Sequence, residues 1–482
     1  MSIPRVVRWA ATVILSWAAG SGLFAASTSA DHGPTALAGW SEIEITPPLG
    51  IALGGRGGPI TLADKILDPL YAQALYLKDA KGTGFVLVSF DIVGITHELA
   101  DRIRTAIVQE LGVEWNLVVL NCSHTHSGPY MIRSLMAGVG PAPQIEGDYF
   151  DALTGKIVTA ARAAKNSQKP VEVEVFNGKS DVAINRRNRN RQGAMTMLPN
   201  ANAPFDDKVW VLKLTPRGEG LPAVIFSYAC HPVIAYGFDY SAISADFPGA
   251  ARKELRRTLG EKAHAQFVQG FAGNVRPRVV ADLENGRFRP SQPEDLQRAG
   301  KDLADSVIAA MKSPGRKLLL NIAGAMDRPF LPRAIPPPPA RAVYEQMRAN
   351  ALSSTNRFRL AVSDYWLKRY DTGEGFAQGD PWSLGLVRLA DNQWIVHSGG
   401  EPVVEWRGKM TEWLAPRHLV TFGYAEAKSY LPTEGLLPEG GYEVLDSNEA
   451  RAATPAPFAS GIEKAIRESL LRQVKFIEAK TR

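Results

Sequence analysis

A repeated exchange between two kinds of hydrophobic pattern constrains this chain more than any other feature. Residues 85–90, 117–120, 209–214 and 223–229 are short, largely apolar runs, the pattern of strands buried on both faces, and 171–176 and 266–269 also read as strands. Between them lie amphipathic stretches; in 98–111 the residues Ile103, Ile107 and Leu111 fall on one helical face. Residues 149–164, 248–259 and 295–311 read as helices in the same way, and 394–397, 403–414 and 419–423 read as strand, helix and strand. This order predicts an α/β fold: a mixed β-sheet core flanked by helices, with the functional site built on strand-end loops. With 43 Gly and 33 Pro the chain needs many turns, which excludes a helical bundle.

The ends and linkers are also legible. Arg5 and Arg8 precede an apolar run, 9–24, that ends in the small residues Thr28, Ser29 and Ala30, so residues 1–30 read as a cleaved signal peptide. A membrane anchor is the alternative, but Ser16, Gly20, Ser21 and Gly22 leave the run short of the ~20 apolar residues that a span requires. The expected location is therefore secreted or periplasmic. Residues 31–482 read as a single domain, with a Pro-rich insertion boundary near 331–341 and a helical excursion over 341–368. The net charge of +6 comes from 55 basic and 49 acidic residues interspersed along the chain. Asn185-Arg-Arg-Asn-Arg-Asn-Arg191 could bind phosphate, but no aromatic residues interleave it, and nucleic acid is not an expected partner. Two Cys exclude a disulfide scaffold and a Cys-based zinc knuckle.

Chemically capable residues gather where predicted strands end. Asn121-Cys-Ser-His-Thr-His-Ser-Gly-Pro129 follows one strand, and in an extended segment His124 and His126 face the same way. Tyr228-Ala-Cys-His-Pro-Val233 follows another and carries His231. In Val396-His-Ser-Gly-Gly-Glu401-Pro402 a strand runs into a Gly pair, and Glu401 is expected to open a helix, where an acid favours the dipole. The fourth place is Gly423-Tyr-Ala-Glu-Ala-Lys-Ser-Tyr430. Two or three His with one carboxylate match a catalytic zinc site that keeps an open position, which is hydrolase chemistry.

These motifs carry a family resemblance. Ser123-His-Thr-His-Ser-Gly-Pro129 resembles the Thr-His-Thr-His-Ser-Gly-Pro signature of the neutral/alkaline non-lysosomal ceramidases. In the same order, Ile184-Asn-Arg186 resembles the family's Asn-Arg-Ser segment, Ala229-Cys-His231 its second histidine motif, and Ile243-Ser-Ala-Asp246 its Ile-Ser-x-Asp segment. Gln269-Gly-Phe-Ala-Gly-Asn274, Gly400-Glu401, and Tyr430-Leu-Pro-Thr with Gly441-Tyr-Glu443 continue the match.

The resemblance implies a zinc-dependent amidohydrolase that cleaves the N-acyl amide of ceramide or a similar lipid-like substrate, with possible peripheral membrane contact. It implies His124, His231, Glu401 and Tyr430 as Zn2+ ligands, with His126 and Arg186 lining the reaction centre. Two departures mark a divergent member. The family's Gly-Asp-Val-Ser-Pro segment reads Gly273-Asn-Val-Arg-Pro277 here, so Arg276 stands in the place of a serine and Asn274 in that of an acid. The family's C-terminal β-sandwich has no counterpart in the residues after Tyr430, so the likeness is to the N-terminal catalytic domain. Arg276 is then expected to stabilise negative charge or to recognise an anionic group, since it cannot act as a nucleophile. A non-catalytic lipid- or ligand-binding protein with a structural metal is the alternative. If His124 and His231 share a metal, Cys122 and Cys230 are expected close together on neighbouring strands but unbonded, because their side chains face opposite ways.

Overall fold

The structure is a computed structural model. It describes residues 36–56, 60–129, 144–334, 340–354, 357–373, 378–426, 429–449 and 456–480. The expected signal peptide and residues 335–339 of the Pro-rich run lie outside them. Among the described residues no helix is long and apolar enough to cross a membrane.

The main sheet is built from β1 (Ala36–Glu44), β2 (Tyr71–Lys78), β3 (Gly84–Phe90), β4 (Val118–Cys122), β5 (Lys169–Lys179), β6 (Lys208–Pro216), β7 (Ala223–Tyr228) and β8 (His264–Gln269), in the spatial order β8-β7-β6-β5-β1-β2-β3-β4. A further short strand, Arg316–Lys317, pairs with β5. Pairing is parallel at both ends of the sheet, β7 with β8 and β3 with β4, and antiparallel between. The sheet is mixed, as the alternating pattern predicts.

The period-two alternation of strand residues explains the layering. On one face Val86, Val88, Leu120, Val211 and Phe226 pack against four helices, α1 (His97–Leu111), α2 (Gln144–Asn166), α3 (Asp246–Leu259) and α4 (Pro293–Met311). Their partners include Ile103, Ile107, Leu153, Leu255 and Leu303. On the other face Leu87, Val119, Leu212, Ile225 and Val268 meet a second sheet through Val387, Leu389, Ile395 and Val420. That sheet, which sequence reading finds only in part, runs β9 (Ala323–Asp327), β10 (Leu384–Ala390), β11 (Gln393–Ser398) and β12 (His418–Phe422) in order. The helices α7 (Glu405–Trp413) and α8 (Ile462–Lys480) cover its outer side, where Trp394, Val396, Trp406, Ile466 and Leu470 form a third core. The layers are helix, sheet, sheet, helix, which is why β3, β4, β7 and β11 are buried on both faces.

The single excursion expected over 341–368 is two helices, α5 (Ala340–Ser353) and α6 (Arg357–Thr372). Tyr344, Met347, Val362 and Trp366 form their own small core with Ala52.

The main sheet curls until its two edges meet. The Asn121 side chain on β4 closes the gap: its Nδ2 donates to Gln269 O at 3.1 Å, and its Oδ1 accepts from Gln269 N at 2.8 Å. The same Nδ2 donates to Gly423 O just past β12, at 2.7 Å. One buried amide thus ties together the C-terminal ends of strands from both sheets, and every candidate site loop leaves from such an end.

Candidate metal centre

After β4 the backbone turns sharply, and His124 sits at φ 65°, a left-handed conformation that is strained for a bulky residue. Hydrogen bonds from Ser123 N to Phe90 O and from His124 N to Ile92 O hold the turn, and His126 N donates to Pro232 O in the loop that carries His231. His124 Nδ1 lies 2.6 Å from Val93 O and His231 Nδ1 lies 2.7 Å from Ala272 O. A carbonyl can only accept, so each ring keeps its proton on Nδ1 and presents an Nε2 lone pair.

Those lone pairs converge. His124 Nε2 is 3.4 Å and His231 Nε2 is 3.3 Å from the same Glu401 Oε2, and His126 Nε2 is 3.3 Å from His124 Nε2. The ligand-capable atoms of His124, His126 and His231 all lie within 4.8 Å of one another. Ligands bonded at ~2.0–2.1 Å around a tetrahedral metal are about 3.3–3.4 Å apart, so the donor spacing fits a bound divalent ion. Burial, with neighbouring His124 and His231, holds the His126 imidazole well below its usual range. Burial and then the charge of Arg186 push His231 down to about 4. Neutral imidazoles are the form that ligates.

Glu401 does not open a helix. It lies in a two-residue strand, Glu401–Pro402, paired in parallel with Tyr430–Leu431, so that Glu401 stands directly beside Tyr430. The helix begins later, at Glu405. The turn before it requires Gly400, at φ 67°, where a Cβ would lie 2.3 Å from the Trp382 ring. The Tyr430 ring stacks on His231 at 6.3 Å, and the Arg186 guanidinium lies 5.4 Å from the Tyr430 centroid. The structure thus brings together His124, His126, His231, Glu401, Tyr430 and Arg186.

Arg186 and Arg187 are not a nucleic-acid arm. Both are buried and share Glu443, Arg186 Nε donating to Oε1 at 2.9 Å and Arg187 Nη1 to Oε2 at 2.8 Å. Arg186 Nη2 is buried with no hydrogen-bond partner. Arg276 lies on a strand, Val275–Pro277, that pairs with Ala183–Arg189 so that Arg276 stands opposite Ile184. In that register Arg276 shares a face with Arg186. Asn274 is explained by its partner: its Nδ2 donates to both Glu405 oxygens, at 3.0 and 2.9 Å, where an acid would set two carboxylates against each other.

Three contributors escape the sequence reading. The Tyr424 ring lies 4.3 Å from that of His124, its backbone is at φ 57°, and its Oη is buried without a partner. It directly follows Gly423 past a strand end, the same signal that marks the histidines. Gly55 lets the backbone touch His126, because a Cβ there would be 2.4 Å from Nδ1. Arg56 Nε donates to His126 O at 3.0 Å. Nothing in the local sequence marks the last two. The cysteine expectation is corrected in one respect: Cys122 ends β4 and Cys230 follows β7, with β8 standing between these strands. Both are buried free thiols.

Comparison with known proteins bears on the family and the fold. Residues 37–287 match the family model described as neutral/alkaline non-lysosomal ceramidase, N-terminal. The crystal structure of neutral ceramidase from Pseudomonas aeruginosa is similar with a TM-score of 0.70 and 16% identity, over 93% of this chain and 75% of that one. A ceramidase complexed with C2 is similar with a TM-score of 0.70 and 15% identity, over 93% and 76%. No curated protein sequence matches. At these identities the structural likeness establishes the fold, and the family match establishes descent: the chain belongs to the neutral/alkaline non-lysosomal ceramidase family.

Proposed function

We propose that this protein is an exported, zinc-dependent amidohydrolase acting on an N-acyl amide of lipid-like character. Family membership supports hydrolysis of a lipid amide. The observation that carries the metal reading is the convergence of two Nε2 lone pairs on one Glu401 oxygen at 3.3–3.4 Å, with each Nδ1 anchored on a carbonyl.

His124, His231 and Glu401 would hold the ion, with Tyr430 as the fourth protein ligand through its pairing with Glu401. Zinc bound there supplies Lewis acidity, polarising a carbonyl and lowering the pKa of water towards ~7. The chain's own groups handle protons and charge. His126 Nε2 faces the centre and is neutral, so it can take the proton of the attacking water and return it to the amine nitrogen as the C–N bond breaks. Arg186 is held through Nε by Glu443, which leaves the unpartnered Nη2 free to donate to the oxyanion of the tetrahedral intermediate.

The test is metal content and hydrolysis of an N-acyl amide panel, before and after chelation. One zinc per chain and chelator-sensitive hydrolysis are expected. His231→Ala should lose the metal, whereas His126→Ala should retain it and lose turnover. Stoichiometric zinc of unchanged affinity in His231→Ala would refute the ligand assignment, and zinc without turnover of any amide would favour a binding protein with a structural metal.

A further inference from the structure

We propose that the cleft carries an anion subsite built on Arg276, and that the amide this protein takes bears a carboxylate or phosphate. This rests on the amidohydrolase reading for the reaction, though not for the binding itself.

Among the described residues Arg276 has no carboxylate partner. Its Nη1 meets only the Met197 sulfur, at 3.7 Å, its Cζ lies 4.6 Å from the Phe288 ring, and its Nε is buried with no hydrogen-bond partner. Arg276 is partly buried, whereas three buried guanidiniums are neutralised directly: Arg104 by Glu426 at 2.9 Å, Arg187 by Glu443 at 2.8 Å and Arg252 by Asp91 at 2.6 Å. Burial lowers the pKa of the Arg276 guanidinium, the sign of a desolvated charge left without compensation. Such a charge is costly unless a counter-charge arrives, and planar guanidinium donors suit carboxylate and phosphate oxygens.

The position gives the subsite its meaning. Arg276 shares a sheet face with Arg186, which lies over Tyr430, and Tyr430 stands beside Glu401. An anion held by Arg276 is therefore presented beside the reaction centre. A second guanidinium, Arg56, reaches the histidine loop, its Nε donating to His126 O at 3.0 Å. It lies 4.7 Å from the Tyr240 ring and 5.9 Å from the Tyr236 ring, and its Nη1 is buried with no hydrogen-bond partner among the described residues. Among the described residues neither guanidinium has a carboxylate at hydrogen-bonding distance, a pair of donors that an uncharged sphingoid amide does not use.

The test compares three ligands of one chain length on the zinc-loaded full chain by calorimetry: N-lauroylglycine, N-lauroylethanolamine phosphate and neutral N-lauroylethanolamine. A hydrogen-bonded charge partner corresponds to about 10- to 100-fold in affinity, so at least one anionic ligand should bind that much tighter than the neutral one. Which anion is preferred identifies a carboxylate or a phosphate source. Arg276→Met should bring the ratio towards one, and Arg276→Lys should keep part of it. Equal affinity of all three ligands for the wild type, or an undiminished preference in Arg276→Met, would overturn the subsite. A variant that slows neutral and anionic substrates equally, without changing the binding ratio, would show Arg276 serving the oxyanion alone and also overturn it. Hydrolysis is followed in parallel: anion preference without chelator-sensitive turnover refutes the amidase reading and leaves the subsite standing, and turnover without preference does the reverse.

Discussion

Asn121→Ala tests how the site is held together. Asn121 is fully buried, and its amide makes three hydrogen bonds that join β4 to β8 and to the end of β12. Gln269 O keeps a second donor, Gly423 N at 3.0 Å. Gln269 N and Gly423 O would be left without a partner. Each orphaned buried backbone group costs about 1–3 kcal/mol, so the variant should lose about 2–6 kcal/mol of stability. Asn121→Asp is the sharper variant. It keeps the shape but replaces two donated bonds with a carboxylate facing two carbonyl oxygens, and should be at least as destabilising. Urea unfolding of the three proteins measures the differences, and zinc affinity should fall alongside because His124 follows within the same turn. A loss below 1 kcal/mol for Asn121→Ala, or an Asp variant as stable as the wild type, would refute the view that this amide closes the sheet.

Other outcomes follow from named contacts. Ordinary long-chain ceramide should turn over poorly, and Arg276→Ser should raise its hydrolysis; rapid chelator-sensitive turnover by the wild type would contradict this. Burial pushes the Glu426 carboxyl up, but a hydrogen bond from His97 and the charge of Arg104 outweigh it and hold it at about 2. Because that lies below the ~4.3 of an unfolded chain, the stabilisation is complete above that pH and disappears as the pH falls towards 2. The stability gap between wild type and Glu426→Gln, measured by urea unfolding, should therefore be smaller at pH 3 than at pH 7, and an equal gap would refute the pairing.

Much of the candidate site was legible because its parts are local. A strand that ends in His-x-His or Cys-His-Pro announces itself by the switch from apolar to polar residues, and α1, α3 and α4 follow their hydrophobic period to within a few residues. Glu401 is visible as a residue, but its place in a strand rather than at a helix start is not, because a two-residue strand has too little sequence to show a period. Likewise the basic run 185–191 reads locally as a possible phosphate binder, since nothing local reveals that Arg186 and Arg187 both pair with Glu443.

The sequence by itself determined which segments are strands and helices, and that imidazoles and a carboxylate stand at strand ends. These are properties of hydrophobic period and short-range backbone chemistry. Only the tertiary structure decided which strand ends meet. The curl of the main sheet, closed by Asn121, brings β4 beside β8, and the packing of the second sheet carries Glu401 and Tyr430 to His231. It also decided that Arg186 and Arg187 share a carboxylate while Arg276 has none among the described residues. Charge compensation depends on distance through space, between residues whose separation along the chain carries no signal.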